Sequence, residues 1–504
     1  METKVILTSE KTNPYQEKKG WEKVKLGDIC KLKNGFAFKS SEYKTEGVPV
    51  IRISDIKEAS ATCKSAVNVH PKSEYEDYLI ENGDILIAMS GATTGKFGIF
   101  KDKVKAYQNQ RVGNFKLIDN NLLYKSFLFY QLHSLKRRIE KDAYGGAQPN
   151  ISSKKIEEME IIIASLPEQR AIVSKIELLF SELDNGIANL KLAQEQLKVY
   201  RQAVLKKAFV GDLTRKWREQ QVGLPSACEL LEEIRREREE SIKSTNRRMK
   251  SVVKLNEEEI VDLPKIPVGW KWVKLQELCN LRGGVTKGRK LEGKKKISLP
   301  YLRVANVQDG YLDLSEIKYI DVLEGDLEKY RLIKGDILYT EGGDKDKLGR
   351  GTIWKEQIED CIHQNHVFRA RPYSKNLVSA YIGYFSQTQT AKRYFFKNAK
   401  QTVNLASINL TVLSNLPFPF CLLPEQQAIV SEIETRLSVC DKMEQDIAEN
   451  LEKAEALRQS ILKRAFEGKL LNERELEEVR NAPDWEPANL LLERVKTEKA
   501  ESGK

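Results

Sequence analysis

The stretch LPEQRAIVSKIE at residues 166–177 returns as LPEQQAIVSEIE at 423–434, with ten of twelve positions identical. Each copy has a proline at a first-turn position, followed by Glu-Gln and by apolar residues at spacings of three and four. The periodicity continues for about 43 residues, or roughly 65 Å of helix. It ends where Gly211 and Gly468 follow Ala-Phe as predicted C-terminal caps. The sequence therefore predicts two long amphipathic helices.

The repeat extends over most of the chain. The other matching pairs are GWEKVKLGDICKLKNG (20–35) with GWKWVKLQELCNLRGG (269–284), VPVIRISDI (48–56) with LPYLRVANV (299–307), ENGDILIAMSG (81–91) with IKGDILYTEGG (333–343), AYQNQRV (106–112) with IHQNHV (362–367), and YRQAVLKKAFVGDL (200–213) with LRQSILKRAFEGKL (457–470). The offset between copies grows from 249 at Gly-Trp to 257 at Leu-Pro-Glu-Gln, and then stays at 257. The helices therefore keep a fixed length, whereas insertions accumulate in the segments before them.

A helix of this length exceeds the width of a domain of about 150 residues, so its apolar stripe needs a second long element to bury it. We expect the two helices to pair with each other as an antiparallel intramolecular coiled coil. Asn185 and Gly186 weaken the first helix near its middle, which makes this the place where it would break. The segments before the helices contain short β-rich runs bounded by Gly, Asp, Asn and Ser, which is typical of mixed α+β domains.

The predicted fold class is α+β, with a pseudo-two-fold repeat of a globular domain and a long helix. The predicted segments are the first globular domain (1–165), the first long helix (166–213), a charged helix and linker (214–265), the second globular domain (266–422), the second long helix (423–470) and a charged helical tail (471–504).

Composition restricts the class of protein. The 504 residues have a mean hydropathy of -0.50 and contain no apolar run long enough for a membrane span or a signal peptide, so we expect a cytoplasmic protein. Seven scattered cysteines without a C-x-x-C spacing indicate reduced thiols. The net charge is +11, of which the first globular domain carries +6 and the second +9, whereas the rest of the chain carries -4. A basic excess confined to the globular domains favours nucleic acid as a partner.

Motifs that would indicate an enzyme are incomplete. GATTGK at 91–96 has three residues between its glycines where a Walker loop needs four, and Phe97 replaces the magnesium-binding Ser or Thr. NPY at 13–15 lacks the second proline of the N-P-P-Y motif of amino-group methyltransferases, and PDWEP at 483–487 lacks the trailing lysine of a nuclease site. His363 and His366 alone do not make a zinc site. The sequence therefore predicts a chain without a catalytic or metal site.

Two diverged domains, each introduced by Gly-Trp and followed by a helix that begins L-P-E-Q-x-x-I-V and ends A-F-x-G, resemble the specificity subunit of type I restriction-modification systems. The resemblance covers essentially the whole chain and includes SGATTGKFG (90–98) and GGAQPNIS (145–152). The second copy departs from these two segments, with EGGDKDKLGRG (341–351) and AKQTVNLAS (399–407) in their places.

The resemblance implies a DNA-binding subunit without catalysis, in which each globular domain is a target recognition domain that reads one half of a bipartite DNA sequence. The paired helices would act as a spacer and dock two methyltransferase subunits, which use S-adenosylmethionine to methylate adenine. Motor-nuclease subunits that use ATP and magnesium would join them for restriction, so no cofactor is expected on this chain itself.

Loop residues with base-reading or phosphate-binding side chains are the candidate DNA contacts. In the first globular domain they are Lys33, Asn34, Phe36, Ser90, Thr93, Lys96, Gln108, Asn109, Arg111, Gln148 and Asn150. In the second they are Arg282, Lys287, Arg289, Lys345, Arg350, Gln364, Asn365, His366, Lys400, Gln401 and Asn404. Gln169, Arg170, Gln426 and Gln427, taken as exposed at the helix starts, are the candidate partner contacts. The alternatives are a coiled-coil adaptor that binds no DNA and a self-sufficient DNA methyltransferase.

Overall fold

The computed structural model describes residues 20–57, 59–119, 122–143, 149–221, 223, 226–244, 254–289, 291, 295–343, 348–402 and 405–502. It divides into two compact units. Unit 1 comprises residues 1–190 and 449–504, and unit 2 comprises residues 191–448. Each unit contains one globular domain, part of the first long helix and part of the second.

The first globular domain is mixed α+β, as the alternation of short β-rich runs and helical patches predicts. Its elements are β1 (Glu22–Lys25), α1 (Leu26–Ile29), β2 (Cys30–Asn34), β3 (Val48–Ile51), β4 (Ile56–Lys57), β5 (Ala59–Ala61), β6 (Val67–Val69), β7 (Leu79–Ile80), β8 (Ile85–Ala88), β9 (Phe97–Phe100), β10 (Ala106–Gln108), β11 (Val112–Leu117), α2 (Lys125–Ala143), α3 (Ser153–Glu157) and β12 (Glu160–Ile163). The strands form sheets with the orders β1-β12, β6-β3-β10-β7 and β2-β11-β8-β9-β5-β4.

The first long helix, α4 (Leu166–Phe209), starts in unit 1 and ends in unit 2. The helices α5 (Arg215–Glu219), α6 (Ala227–Ser244) and α7 (Glu257–Val261) follow it. The predicted weak point is not a break, because α4 runs without interruption through Asn185 and Gly186. Gly186 has open space around it, and an exposed helical glycine costs only about 1 kcal/mol, which the packing of a 44-residue helix outweighs.

The second globular domain repeats the architecture of the first. Its elements are β13 (Lys271–Lys274), α8 (Leu275–Leu278), β14 (Cys279–Gly283), β15 (Lys296–Leu302), β16 (Lys318–Leu323), α9 (Asp326–Tyr330), β17 (Ile337–Thr340), β18 (Gly342–Gly343), β19 (Gly351–Ile353), β20 (Ile362–His363), β21 (Val367–Pro372), α10 (Ser379–Ser386), α11 (Gln389–Asn398), β22 (Lys400–Gln401), β23 (Ala406–Ser407), α12 (Leu410–Ser414) and β24 (Pro417–Phe420). The sheet orders are β13-β24, β14-β21-β17-β19, β16-β15-β20 and β18-β23-β22. The chain ends with α13 (Leu423–Phe466), α14 (Glu473–Arg480) and α15 (Ala488–Ser502).

Within each unit the start of one long helix packs with the end of the other, so the two helices run antiparallel. In unit 1, Ile172 and Ile176 near the start of α4 share a core with Ile461 and Phe466 at the end of α13. In unit 2, the segment 204–209 at the end of α4 shares a core with Ile429 and Ile433 near the start of α13. The predicted antiparallel pairing is confirmed.

The helix ends match the prediction from Ala-Phe-x-Gly. Gly211 and Gly468 have φ angles of +78° and +71°, a left-handed conformation that a side chain would strain. The Asp212 amide donates to the Lys207 carbonyl, and the Lys469 amide donates to the Arg464 carbonyl, each at 2.8 Å. These bonds over five residues close a Schellman motif at the end of each long helix.

The glutamines at the helix starts hold each globular domain to its helix, and the expectation that they are exposed is wrong. Gln169 and Gln426 are both 0% exposed. The Gln169 carboxamide donates to the carbonyls of Leu122 and Ala164 and accepts from the amide of Tyr124, at 2.8 to 2.9 Å. Loop carbonyls and amides that helix packing removes from water need such partners, which is the physical reason for a buried side-chain amide here.

Gln426 repeats this arrangement in unit 2. Its carboxamide donates to the Cys421 carbonyl at 2.8 Å and accepts from the Val378 amide at 3.0 Å. The neighbouring candidates Arg170 and Gln427 are exposed, and Arg170 pairs with Asp484 at 2.5 Å. Only these two of the four predicted partner contacts lie on the surface.

None of the helices in the described ranges combines the length and the hydropathy that a membrane span requires. All seven cysteines are free thiols, and five of them are buried.

Candidate nucleic-acid interface

A polar turn between β10 and β11 lies at the centre of the candidate interface in the first globular domain. The Val112 amide donates to the Asn109 carbonyl at 2.9 Å and closes the turn, which leaves Gln110 and Arg111 exposed at its tip. The segment after β2 runs against the turn, since the Phe36 amide donates to the Gln108 carbonyl at 2.9 Å. This close approach requires Gly35, where an added Cβ would lie 2.2 Å from the Gln108 carbonyl oxygen.

Gln108 supports the turn from inside and is not a surface residue. It is 1% exposed, and its carboxamide donates to the carbonyls of Lys33 and Val112, at 2.6 Å each. The Gln108 side chain uses both of its donors inside the domain and is almost completely buried, so it cannot reach a base. Contrary to the prediction, Gln108 is not a DNA contact. Its position explains the error, because Gln108 is the last residue of the fully buried strand β10.

A groove runs beside the turn. The backbones of Ser90 and Asn150 form a bridge, the Met89 amide donates to the Arg111 carbonyl at 2.9 Å, and the Ile151 amide donates to the Met89 carbonyl at 3.0 Å. These bonds bring three separate segments together. The resulting groove, of about 670 Å³, is lined by Asn34, Met89, Ser90, Gly91, Gln110, Arg111, Pro149, Asn150, Ile151, Ser152, Ser153 and Lys154.

Four predicted contacts therefore meet at one site: Asn34, Ser90, Arg111 and Asn150. The Ser90 hydroxyl is buried in the groove wall, without a hydrogen-bond partner among the described residues. The side-chain oxygen Oδ1 of Asn34 accepts from the Ser153 hydroxyl at 3.0 Å. The exposed side chains of Asn34, Arg111 and Asn150 thus bring donors and acceptors to one concave surface, which is what base or phosphate recognition requires.

Sequence reasoning missed Gln110, Ser153 and Lys154 in this groove. Gln110 lies inside the quoted segment AYQNQRV, and its exposure follows from the turn that succeeds the buried β10. Ser153 and Lys154 follow the GGAQPNIS segment and begin α3, whose N-cap is Ser152. The signal available in the sequence was that these three residues lie within or directly after the two quoted motifs.

The other first-domain candidates lie outside the groove lining. Lys33 Nζ donates to the Asp77 carbonyl, and the half-buried Phe36 packs on Tyr75 with ring centroids 5.0 Å apart. Thr93 is half-buried with its hydroxyl 3.3 Å from the Ile53 carbonyl, whereas Lys96 is exposed on the glycine-rich turn after β8. Asn109 is half-buried in the turn itself. Gln148 lies outside the described residues.

The second globular domain builds the same turn from different side chains. The Val285 amide donates to the His363 carbonyl at 2.8 Å, and the Val367 amide donates to the Gln364 carbonyl at 2.9 Å. Gly284 takes the place of Gly35, since an added Cβ would lie 1.9 Å from the His363 carbonyl oxygen. These bonds align Gln108 with His363, and the tip Gln110–Arg111 with Asn365–His366.

His363 is the buried support of this turn, as Gln108 is in the first domain. It is 0% exposed, and its Nδ1 lies 2.6 Å from the Val367 carbonyl, which accepts a hydrogen bond from the ring. Burial lowers the pKa of His363 to about 3, so the ring is neutral near pH 7. It contributes shape and one hydrogen bond rather than charge.

Polar side chains surround the second tip. His366 is exposed and its Nδ1 contacts the carboxylate of Glu341, whereas Asn365 is half-buried. The half-buried Arg350 donates to the side-chain oxygen of Gln308. The tip therefore carries an amide and an imidazole where the first domain carries an amide and a guanidinium.

The segment equivalent to residues 149–152 is 406–409 rather than the position suggested by AKQTVNLAS. The Ile408 amide donates to the Glu341 carbonyl at 2.8 Å, as the Ile151 amide does to Met89. Asn409 caps α12 as Ser152 caps α3. Ser407 therefore corresponds to Asn150, and the hairpin residues Lys400 and Gln401 have no counterpart in the described part of the first groove.

The remaining second-domain candidates have the following surroundings. Arg282 donates to the Lys329 carbonyl at 2.7 Å, and Arg289 pairs with Asp326 at 2.9 Å. Gln364 is half-buried in the turn, whereas Lys287, Lys400 and Gln401 are exposed. Lys345 and Asn404 lie outside the described residues.

The chain matches the family model described as "Type I restriction modification DNA specificity domain" twice, over residues 18–192 and 267–453. The chain belongs to this family. Both matches contain a whole globular domain and the first part of the helix that follows it. Membership confirms the family resemblance and the DNA-specificity function, and decides against a coiled-coil adaptor and a self-sufficient methyltransferase.

Relatives cover almost the full length. The "Type I restriction enzyme EcoBI specificity subunit" of Escherichia coli is 26% identical over 488 residues, covering 96% of this chain and 93% of the relative. The EcoKI specificity subunit of Escherichia coli (strain K12) is 25% identical, covering 96% of each chain. Among solved structures, the HsdS subunit from Thermoanaerobacter tengcongensis shares the fold, with a TM-score of 0.52 at 17% identity over 91% of this chain and 99% of that one. The specificity-domain family is a recognition family without catalysis, in agreement with the incomplete enzyme motifs.

Proposed function

We propose that this specificity-family chain reads a bipartite double-stranded DNA target, one half with each globular domain. The tips Gln110–Arg111 and Asn365–His366 would contact base edges. One observation carries the proposal: the same buried backbone frame presents different side chains at the tips of the two domains. A constant frame with variable tips suits two recognition domains that read different half-sites.

The chemistry of the tips fits readout in the major groove. An arginine can bind the O6 and N7 atoms of guanine with two hydrogen bonds, and a glutamine or asparagine can do the same with adenine. In the first domain, Lys154 and Lys96 are placed for phosphate contacts, and Asn34, Ser90 and Asn150 line the groove beside the tip. In the second, Lys287, Arg350, Lys400 and Gln401 are the candidates for further polar contacts, and the +6 and +9 charges of the domains supply the electrostatic attraction.

The chain would act within a cytoplasmic complex. Two methyltransferase subunits that carry S-adenosylmethionine would dock on the long helices, where Arg170 and Gln427 are exposed near the two helix starts. Motor-nuclease subunits with ATP and magnesium would complete the restriction complex. The described residues contain no cluster of three or more His, Cys, Asp or Glu that could hold a metal ion.

Two single substitutions test this assignment. Arg111→Ala and His366→Ala are each expected to relax the specificity of one half-site by about 1 to 3 kcal/mol of discrimination and to leave the other half unchanged. The measurement is the adenine methylation pattern in cells that express each variant with the modification subunit of its own system. Gln196→Ala, at an exposed site on α4 away from the groove and from both tips, is the control. Methylation confined to an uninterrupted sequence, or relaxation of both halves by one substitution, would contradict the proposal.

A further inference from the structure

A group of four side chains, called the quartet below, is repeated in the two units, outside the candidate interface. In unit 1 it consists of Tyr130, Glu177, Asp184 and Arg458. In unit 2 the equivalents are Tyr384, Glu434, Asp441 and Arg201. The acidic and arginine members follow the constant helix offset of 257 residues. Each tyrosine lies six residues after the backbone amide that donates to Gln169 or Gln426.

The quartet in unit 1 links three elements. Tyr130 is on α2 of the globular domain, Glu177 and Asp184 are on α4, and Arg458 is on α13. The Arg458 guanidinium pairs with the Asp184 carboxylate and lies 4.5 Å from the centre of the Phe180 ring. The Phe180 ring also meets the Tyr130 ring edge to face, with centroids 5.8 Å apart. One arginine thus connects the second helix, through Phe180, with the domain.

The quartet in unit 2 makes the same links with a different third contact. Arg201 of α4 donates to Asp441 at 2.6 Å and to Glu444 at 3.0 Å, both on α13. The Glu434 carboxylate lies near the Tyr384 phenol and contributes to raising its pKa. A second carboxylate replaces the aromatic ring beneath the arginine, while tyrosine, glutamate, aspartate and arginine are retained.

The arginines and tyrosines of the quartet are partly buried, whereas the aspartates are exposed. The arginine side chains are 26% and 24% exposed, and their aspartate partners are 61% and 70% exposed. Burial, with smaller contributions from the nearby carboxylates, raises the pKa of Tyr130 and of Tyr384 to about 12. In unit 1 the quartet lines a cleft of about 710 Å³ between α2 and the long helices. Polar contacts across this cleft therefore add to the close packing of the core beside it.

The position of the quartet defines its role. The domain core is packed on α4 at Ile172 and Ile176. Glu177 directly follows Ile176, and Asp184 lies about two turns further along α4. The ion pair at Asp184 therefore acts at a distance from this attachment, where it bears on the tilt of the domain.

We propose that each quartet is a joint that sets the tilt of its globular domain on the long helices, and thereby the spacer length accepted between the two DNA half-sites. This inference rests on the proposed function. The quartet members are positioning residues, because none of them lies in the groove or at the tips. Their repetition in domains whose tips have diverged is expected if the tilt, unlike the sequence read, must be the same on both sides.

The test uses the full chain co-expressed with its modification subunit, and a library of split sites whose spacer varies by one base pair. Arg458→Met and Arg201→Met are expected to raise methylation of off-length sites about ten-fold relative to the native spacer, the size expected when an ion pair and a partly buried cation contact are lost. The half-site sequences are expected to stay unchanged, whereas a defect in base contacts would alter them. Arg458→Lys is expected to restore part of the preference for the native spacer length, because lysine keeps the charge but not the planar group.

Lys453→Met is the matched control, since it removes one charge from an exposed position on the same helix. Asp184→Asn is the second variant in case an arginine variant fails to fold, because it removes the charge that pairs with Arg458 and keeps the size of the side chain. A wild-type preference for the native spacer in the soluble arginine variants, or in Asp184→Asn if neither is soluble, would overturn the inference. Equal broadening by Lys453→Met would also overturn it. If the wild-type chain supports no methylation at split sites, the proposed function itself fails, which is a different result.

Discussion

The starts of the long helices are alike in the two units, whereas the tips of the turns differ. Gln169 and Gln426 have the same identity, the same burial and the same type of backbone partners. Arg111 and His366 occupy equivalent places on equivalent backbones but differ in side chain. Buried polar contacts that hold a domain on its helix allow little variation, whereas an exposed tip can change without cost to the fold. The comparison separates the scaffold of this protein from the surface that we propose reads DNA.

The largest expected effect comes from breaking the scaffold at a helix start. Gln169→Leu would leave the Tyr124 amide and the carbonyls of Leu122 and Ala164 without their partner, which should cost about 3 kcal/mol of unfolding free energy. Chemical denaturation measures this loss. Gln427→Leu, at an exposed position beside Gln426 on α13, should change stability by less than about 0.5 kcal/mol. Equal effects of the two substitutions would show that the buried amide does not hold the domain.

A smaller effect is expected from the glycines beneath the tips. Gly284→Ala places a Cβ against the His363 carbonyl and should cost about 2 kcal/mol, because the backbone of the turn has to move. It should also weaken reading of the half-site assigned to the second domain and leave the other half intact. Gly186→Ala is the matched control, since nothing lies near the added Cβ and a helical alanine should stabilise by about 0.5 to 1 kcal/mol. Thermal unfolding and methylation mapping of both variants distinguish a local steric effect from a general one.

The smallest effect concerns a carboxylate that supports the six-stranded sheet of the first globular domain. Asp84 is 4% exposed. Burial alone would raise its pKa, but hydrogen bonds from Lys116 and Asn114 hold that pKa below its ordinary value. Since the folded pKa is lowered, the carboxylate stabilises the fold above the unfolded pKa, and this contribution is lost as pH falls through the folded pKa.

Asp84→Asn should therefore cost about 1.5 kcal/mol near neutral pH, and its difference from the wild type should shrink as the pH is lowered below about 4. Thermal unfolding across this pH range measures the change. Asp142→Asn, at an exposed site on α2, is the control and should show no such convergence. A difference that stays constant with pH would mean that the charge of Asp84 does not stabilise the domain.

The sequence predicted the helices and their ends because the evidence for them is local. Periodicity, a first-turn proline and a capping glycine act within a few residues, and α4 and α13 start at Leu166 and Leu423 as predicted. The possible break at Asn185–Gly186 could not be decided from propensity, since packing along a 44-residue helix overrides one weak turn.

The candidate interface was predicted only in part because its geometry is not local. Asn34, Ser90, Arg111 and Asn150 belong to separate sequence motifs, and strand pairing brings them to one groove. Gln108 has the chemistry of a base-reading side chain, but backbone pairing buries it. The correspondence of Gln108 with His363 was also hidden, because a turn can keep its frame while an amide and an imidazole make the same hydrogen bond.

The most direct test of whether each globular domain reads one half of the target is to exchange one of the two domains. Residues 266–422 are replaced by the corresponding segment of a family member with a different specificity, and the methylated sites are mapped in cells that also contain the modification subunit. If each globular domain reads one half-site, one half of the split site changes to the donor's sequence while the other half is unchanged. A change in both halves, or methylation that maps to no split site, would contradict it.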